Sequence, residues 1–169
     1  MSILLKGLIF LAFFSILHFS LDLSGWAWLK PFAGINESVF QHFKMAFWAY
    51  LLASLVEYPF FKKKKKTYQS FWYPRFLAAI FVPWVIFLVY FLGPATGGKF
   101  SSSTLELTWA ILVSYFSGLA GGLIEGHLEE QKLAFCFRAL IIFLLLASAF
   151  LYVAFTYSLP WLDMFRIPQ

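Results

Sequence analysis

The chain has 169 residues, of which 62% are hydrophobic, 22% aromatic and 12% charged. A soluble domain carries about 25% charged residues, so this chain has too few charged side chains to cover a surface exposed to water. The composition therefore excludes a soluble globule and predicts an all-α integral membrane bundle with the lipid bilayer as its partner. The net charge of +5 is concentrated in one lysine run, which excludes nucleic acid as a partner because there is no basic face.

Five apolar stretches are long enough to cross a bilayer, which takes about 20 residues each. In chain order, the predicted helices cover residues 3–21, 36–58, 75–92, 104–125 and 133–157. Residues 22–35 contain Trp26 and Trp28, and tryptophan is typical of the membrane–water interface. Asn36 is a favourable N-cap for the second helix, which we expect to end before Pro59. Together the helices predict a single transmembrane domain that covers residues 1–169.

The positively charged residues predict how the bundle is oriented. Cytoplasmic loops carry an excess of Lys and Arg, and the run Lys62 to Lys66 is followed by Arg75 between the second and third helices. With this loop inside, the orientation is N-in and C-out. The lysine run is also expected to contact anionic lipid head groups. We therefore expect a multi-pass protein, located in the cytoplasmic membrane if the source is prokaryotic.

One polar cluster is predicted in the outer leaflet. Ionisable groups are costly in lipid, so each one within a span is a candidate functional residue. The predicted outer site comprises His18, Asn36, Glu37, Ser38, His42, Lys44 and Glu106. On a helix that starts near Asn36, Glu37 contacts Gln41 one turn later. Lys44 lies one turn deeper and is expected to reach outward and pair with Glu37.

A second polar set is predicted at the cytoplasmic end of the bundle. It comprises Glu57 and Tyr58 at the end of the second helix, and Glu125 and His127 at the end of the fourth. Both carboxylates lie at the edge of an apolar span, where an unpaired charge is unfavourable. We expect His127 to be solvated, because it belongs to a short polar turn. Glu57 and Glu125 are the stronger candidates for an inner site.

Small residues recur every four positions in the fourth helix and predict a close helix–helix contact. Ser114, Gly118, Gly122 and Gly126 share one face, and such a face lets another helix approach closely. The partner is either another helix of the same chain or a second copy in a homo-oligomer. The sequence pattern leaves both alternatives open.

Residues 36–44 read Asn-Glu-Ser-Val-Phe-Gln-His-Phe-Lys and resemble the conserved segment of a family of small membrane proteins designated DUF6512. The resemblance rests on the pattern NES-x-x-x-H-x-K, on His18 followed by Ser24-Gly25, and on Glu57-Tyr58. This chain has Phe40-Gln41 where that family more often has Trp-Glu, so one acidic group is missing. The resemblance implies a multi-helix membrane fold and implies no established activity.

Three kinds of function fit these residues. The first is an outer-leaflet site of His18, Glu37 and His42 that handles a small solute, a proton or an ion. The second is a zinc-dependent intramembrane hydrolase: the two histidines with Glu37 or Glu106 would hold zinc, and zinc-bound water would attack a lipid ester or amide. The third is a structural or accessory membrane subunit. No pair of these residues has the spacing of a recognised metal-ligand motif, so zinc is a candidate cofactor and the balance is against an enzyme.

Overall fold

The computed structural model of the chain describes residues 1–63 and 71–166, and this part is helical and without strands. Its five long helices are α1 (Ile3–Ser24), α2 (Val39–Lys63), α3 (Trp72–Gly97), α4 (Ser103–Glu129) and α5 (Phe135–Tyr157). Each is long and apolar enough to cross a membrane. The predicted all-α fold with five spanning helices is confirmed. Most of the lysine run Lys62 to Lys66 lies outside the described residues, so its contact with lipid head groups stays a prediction.

Helices α1 to α4 form a ring of four, and α5 lies outside it. In this ring α1 packs against α2 and α4, and α3 packs against the same two helices. The ring encloses the core, whose fully buried side chains include Phe10 of α1, Tyr50 of α2 and Val82 of α3. α5 packs on α3 and brings Tyr152 against Phe47 of α2. Much of the remaining surface of α5 is apolar and exposed, as expected of a helix that faces lipid.

The start of α2 differs from the prediction, because Asn36 and Glu37 precede the helix. The Asn36 side-chain oxygen accepts a hydrogen bond from the backbone N–H of Ser38, at 3.0 Å. Asparagine often folds the chain into a turn in this way. The first helical hydrogen bonds then run to the carbonyl of Ser38, which accepts from the N–H groups of Gln41 and His42. α2 therefore begins at Val39, and Glu37 sits on the loop above it.

Several helices run further than the hydropathy pattern suggests. α2 continues through Pro59 to Lys63, and α3 contains both Pro83 and Pro94. Neighbouring helices can satisfy the backbone groups that a proline frees inside a membrane helix. α4 ends at Glu129, so Glu125 and Glu129 are one turn apart on a single helical face.

The small residues of α4 pack against α1 of the same chain. A side-chain carbon added at Gly118 would lie 2.6 Å from Phe10, and one added at Gly122 would lie 3.0 Å from Ile3. Ser114 is buried. Gly126 differs from this pattern, since an added carbon there would meet nothing within 4 Å. The groove is thus occupied from within the chain over Gly118 and Gly122, and Gly126 borders open space.

We expect Gly118→Ala to lower the free energy of unfolding by about 1–3 kcal/mol, the usual cost of overpacking a tight core. Phe10 is fully buried and has little room to move away. Gly126→Ala is the matched control and should be neutral or stabilising, because alanine favours a helix over glycine by about 1 kcal/mol. Thermal unfolding of both variants in detergent provides the comparison. Equal stability of the two variants would contradict the α1–α4 contact.

Candidate functional site

Three polar side chains from different parts of the chain meet at one end of the bundle. His18 comes from the last third of α1, Glu37 from the loop before α2, and His42 from the first turn of α2. Glu37 Oε2 lies 3.4 Å from Nε2 of His18 and 3.5 Å from Nε2 of His42. One ligand atom from each residue lies within 4.8 Å of the others. We call this group the His–Glu–His site.

The loop before α2 is held against both helices, which fixes the position of Glu37. The N–H of Gly34 donates to the carbonyl of Leu17 on α1, at 3.2 Å. On its other side Gly34 faces Met45 of α2, and an added side-chain carbon would lie 2.9 Å from the Met45 sulfur. A larger residue at this position would have to displace the buried Met45 side chain. The Asn36 turn then follows directly and directs Glu37 toward the histidines.

The orientation of His42 is fixed by a backbone contact. Its Nδ1 lies 2.9 Å from the carbonyl oxygen of Ser38. Since a carbonyl can only accept, Nδ1 donates its hydrogen there and Nε2 of the neutral ring keeps a free lone pair. This is the arrangement that metal-binding histidines adopt, because a partner on one nitrogen orients the other. His18 has no such partner within the described residues: its Nδ1 is buried without a hydrogen bond.

The site is open on the side of Glu37, whose side chain is 64% exposed, whereas that of His18 is 23% exposed. A small cavity of about 30 Å³ adjoins it and is lined by Asp22 together with His18, Gly34, Ile35, Asn36 and Glu37. This volume corresponds to about one water molecule. The first helix is predicted to end at residue 21, which leaves Asp22 in the connecting segment. Its spacing of four from His18 would have indicated a shared face had the length of α1 been known.

Other residues of the predicted outer site lie elsewhere. Lys44 is fully buried and donates to the carbonyl of Lys30 at 2.6 Å and to the Thr156 hydroxyl of α5 at 3.2 Å. Its expected pairing with Glu37 is wrong, because Glu37 is not on the helix. Glu106 accepts a hydrogen bond from the Tyr90 hydroxyl at 2.8 Å. It belongs to the contact between α3 and α4 and is not part of the His–Glu–His site.

No hydrogen bond joins Glu37 and Gln41 among the described residues, and Glu37 precedes the helix on which the contact was expected. Gln41 is buried, and its side-chain oxygen has no hydrogen-bond partner in the described part of the chain. Ser38 contributes to the His–Glu–His site through its carbonyl, whereas its buried hydroxyl makes no hydrogen bond there.

At the opposite end of the bundle, five charged side chains form an ionic cluster: Lys6, Glu57, Arg75, Glu125 and Glu129. The Lys6 ammonium donates to Glu57 at 2.7 Å and to both oxygens of Glu125 at 2.6 Å. The Lys6 side chain is 3% exposed. Charges at this depth are stable only when they are paired, and Lys6 is paired with two carboxylates at once.

Arg75 connects the rest of the ionic cluster. Its guanidinium lies 3.2 Å from one oxygen of Glu57 and 3.6 Å from Glu125, and it also pairs with Glu129. It donates to the carbonyl of Phe71 at 3.2 Å and lies 4.0 Å from the centre of the Phe71 ring. The planar guanidinium can bind several carboxylates at once, which an ammonium does less well. The ionic cluster therefore joins four helices.

The sequence pattern predicts the two central carboxylates of this cluster, Glu57 and Glu125, but not the two cations. The sequence pattern uses Arg75 only as a signal of orientation, because it follows the lysine run. Tyr58 and His127 lie outside the cluster. Tyr58 stacks on Trp72, with ring centres 5.3 Å apart. His127 is exposed and has Gln131 at 3.2 Å.

An apolar core separates the His–Glu–His site from the ionic cluster. Along α1, His18 lies twelve positions after Lys6, or about 18 Å at the rise of a helix. Phe10 and Phe14 occupy this interval, and Tyr50 of α2 packs against Phe10 with ring centres 5.6 Å apart. The two polar sites are therefore chemically independent in this conformation.

A chain of five apolar spans with charges paired inside the bundle is a multi-pass helical membrane protein. The family of unknown function DUF6512 matches residues 2–168. The chain belongs to that family, and the resemblance noted from residues 36–44 extends over almost its whole length. Comparisons with curated proteins and with solved structures gave no match.

We expect Lys6→Met to lower the free energy of unfolding by about 3–5 kcal/mol, because it leaves buried carboxylates without their partner. The double variant Lys6→Met with Glu125→Gln should lose less free energy of unfolding than the two single variants added together. The second change removes a carboxylate that the first has left unpaired. Lys132→Met, at an exposed lysine, is the matched control. Chemical unfolding in micelles measures the unmodified protein and all four variants. Additive losses would show that Lys6 and Glu125 are not coupled.

Proposed function

We propose that the chain binds a divalent transition-metal ion of the zinc class at the His–Glu–His site. In this proposal the lysine run faces the cytoplasm, so His18, Glu37 and His42 face the outer side of the membrane. Two imidazoles and one carboxylate form a ligand set that zinc commonly takes, with its fourth position left for water or substrate.

The observation that carries the proposal is the spacing around Glu37. Ligands bound to zinc at 2.0–2.1 Å on a tetrahedron lie about 3.4 Å from one another. The distances from Glu37 Oε2 to the two imidazole nitrogens are 3.4 and 3.5 Å. The ligand atoms of the two histidines lie within 4.8 Å of one another, so a single ion can contact all three groups once the histidine side chains move closer together.

A His–Glu–His group held together only by hydrogen bonds, without a metal ion, explains these two distances less well. A charge-assisted hydrogen bond between a carboxylate and an imidazole has a length of about 2.7–2.9 Å. Both contacts of Glu37 are longer than the upper end of this range by about half an ångström. An ion between the ligands would account for this separation, and the hydrogen bond from His42 to Ser38 would present the free nitrogen to it.

Binding is supported better than conduction. A conducting path needs polar groups along its whole length, whereas Phe10, Phe14 and Tyr50 fill the space between the two ends of the bundle. The proposed role is therefore capture or storage of the ion at one membrane face.

We expect the purified protein to contain close to one zinc ion per chain, measured by elemental analysis after purification without chelators. His42→Ala and Glu37→Gln should each weaken zinc binding by about 100-fold, because loss of a ligand costs at least as much as loss of its supporting contacts. Bound zinc should also raise the midpoint of thermal unfolding.

His127→Ala is the matched control, since His127 is exposed and lies outside the site. It should bind zinc as the unmodified protein does. A zinc content that is negligible in the unmodified protein, or equal loss in all three variants, would reject the proposal and favour an accessory role.

A zinc-dependent lipid hydrolase is the second candidate, favoured by the cavity that Asp22 lines next to His18 and Glu37. The cavity has room for one water molecule, and Asp22 is suited to remove a proton from it. We expect Asp22→Asn to retain zinc and to lose at least about 100-fold in the rate of hydrolysis of a lipid ester or amide. Absence of hydrolysis by the zinc-loaded protein across both substrate classes would remove this candidate.

A further inference from the structure

The ionic cluster lines a second and larger cavity, which the zinc proposal does not use. This cavity has a volume of about 120 Å³, and its lining includes all five charged residues of the cluster and Gly126. It has room for a ligand of about four heavy atoms, since a water molecule takes about 30 Å³. It lies where α1 begins and where α2 and α4 end, and the ends of spanning helices are expected at the level of the lipid head groups.

The charges of the lining favour a positively charged ligand. Lys6 and Arg75 contribute two positive charges, and Glu57, Glu125 and Glu129 contribute three negative ones. The side chains therefore carry one negative charge in excess, and a free amino group at Met1, which also lines the cavity, would offset it. Where that amino group is blocked, the excess charge favours a cationic ligand, because an uncompensated charge is costly. A phosphate or carboxylate ligand would add to this excess and is disfavoured.

The hydrogen-bonding groups of the lining favour a ligand that donates. The ammonium of Lys6 already donates to Glu57 and Glu125. The guanidinium of Arg75 is engaged by Glu57, by Glu129 and by the Phe71 carbonyl. Each carboxylate has about four acceptor positions, so acceptors remain in excess once these donors are engaged. A divalent metal ion fits less well, since Lys6 and Arg75 offset two of the three negative charges.

We propose that this cavity binds a primary ammonium group, carried by an ethanolamine lipid headgroup or by a small free amine. A primary ammonium has one positive charge and three N–H donors, and therefore matches both the excess charge and the excess acceptors. Gly126 provides the space: an added side-chain carbon there meets no atom within 4 Å, next to Glu125 and Glu129.

The test uses the full chain in nanodiscs of phosphatidylcholine, with ethylammonium and tetramethylammonium as the probes. Both probes have one positive charge, but tetramethylammonium has no N–H donor. We expect ethylammonium to raise the midpoint of thermal unfolding in a saturable way and tetramethylammonium to have no effect. Equal responses to the two cations would indicate nonspecific charge screening and overturn the proposal.

Nanodiscs that contain phosphatidylethanolamine distinguish the two sources of the ammonium group. If the headgroup is the ligand, this lipid raises the midpoint by itself and removes the further effect of ethylammonium. If a free amine is the ligand, the response to ethylammonium is the same in both lipids. Absence of any effect of the lipid and of ethylammonium would overturn the proposal.

Gly126→Leu fills the cavity and should abolish the response to ethylammonium, with Gly97→Leu as the matched control. Gly97 also has open space around it and lies at the end of α3. Glu129→Gln, at the least buried carboxylate of the cluster, should weaken ethylammonium binding by about tenfold, the usual effect of losing a hydrogen bond to a charged group. An unchanged response in Gly126→Leu would overturn the proposal.

Two further controls test the origin of the response. His42→Ala should respond to ethylammonium normally, because the His–Glu–His site lies at the other end of the bundle. Met1 also lines the cavity, and a free amino group at Met1 would be a competing ammonium. If ethylammonium binds only after the amino group of Met1 has been acetylated, the occupant is the terminus of the chain and the proposal is wrong.

Discussion

The bundle depends on the pairing of five charges in an environment that does not tolerate an isolated charge. Lys6 belongs to α1, Glu57 to α2, Arg75 to α3, and Glu125 and Glu129 to α4. Each of these residues alone would be costly at the edge of an apolar span. Because the pairs form only when all four helices present the right face at the right depth, the ionic cluster fixes the rotation and the height of the ring at this end.

The same rotation brings together the residues at the other end. Lys6, Phe10, Phe14 and His18 are spaced by four and therefore share one face of α1. Once Lys6 faces Glu57, this face directs His18 toward α2, where the ring of His42 lies 5.5 Å from it. One inward face thus carries a charged group, two aromatic rings and an imidazole in succession. The two ends have different chemistry: imidazole and carboxylate at one, and an excess of carboxylate at the other.

Much of the candidate chemistry was predictable residue by residue, since lipid leaves few reasons for a polar side chain within a span. His18, Glu37, His42, Glu57 and Glu125 were all identified on this ground. Their partners were harder to predict. Whether Glu37 meets Gln41 or a histidine depends on where α2 begins, and the Asn36 turn decides this through one side-chain hydrogen bond. A hydropathy profile carries no information about a single hydrogen bond of this kind, so it does not predict where α2 begins.

The sequence alone determined the number of spans and the all-α class, because the bilayer requires each crossing to be an apolar helix that satisfies its own backbone. Tertiary structure decided which polar groups meet, because lateral packing sets the rotation of each helix and hydropathy carries little information about it. It placed Lys6 and Arg75 among the carboxylates, turned Lys44 toward α5, and left Glu106 with α3. The two sites exist because four helices pack in one particular arrangement.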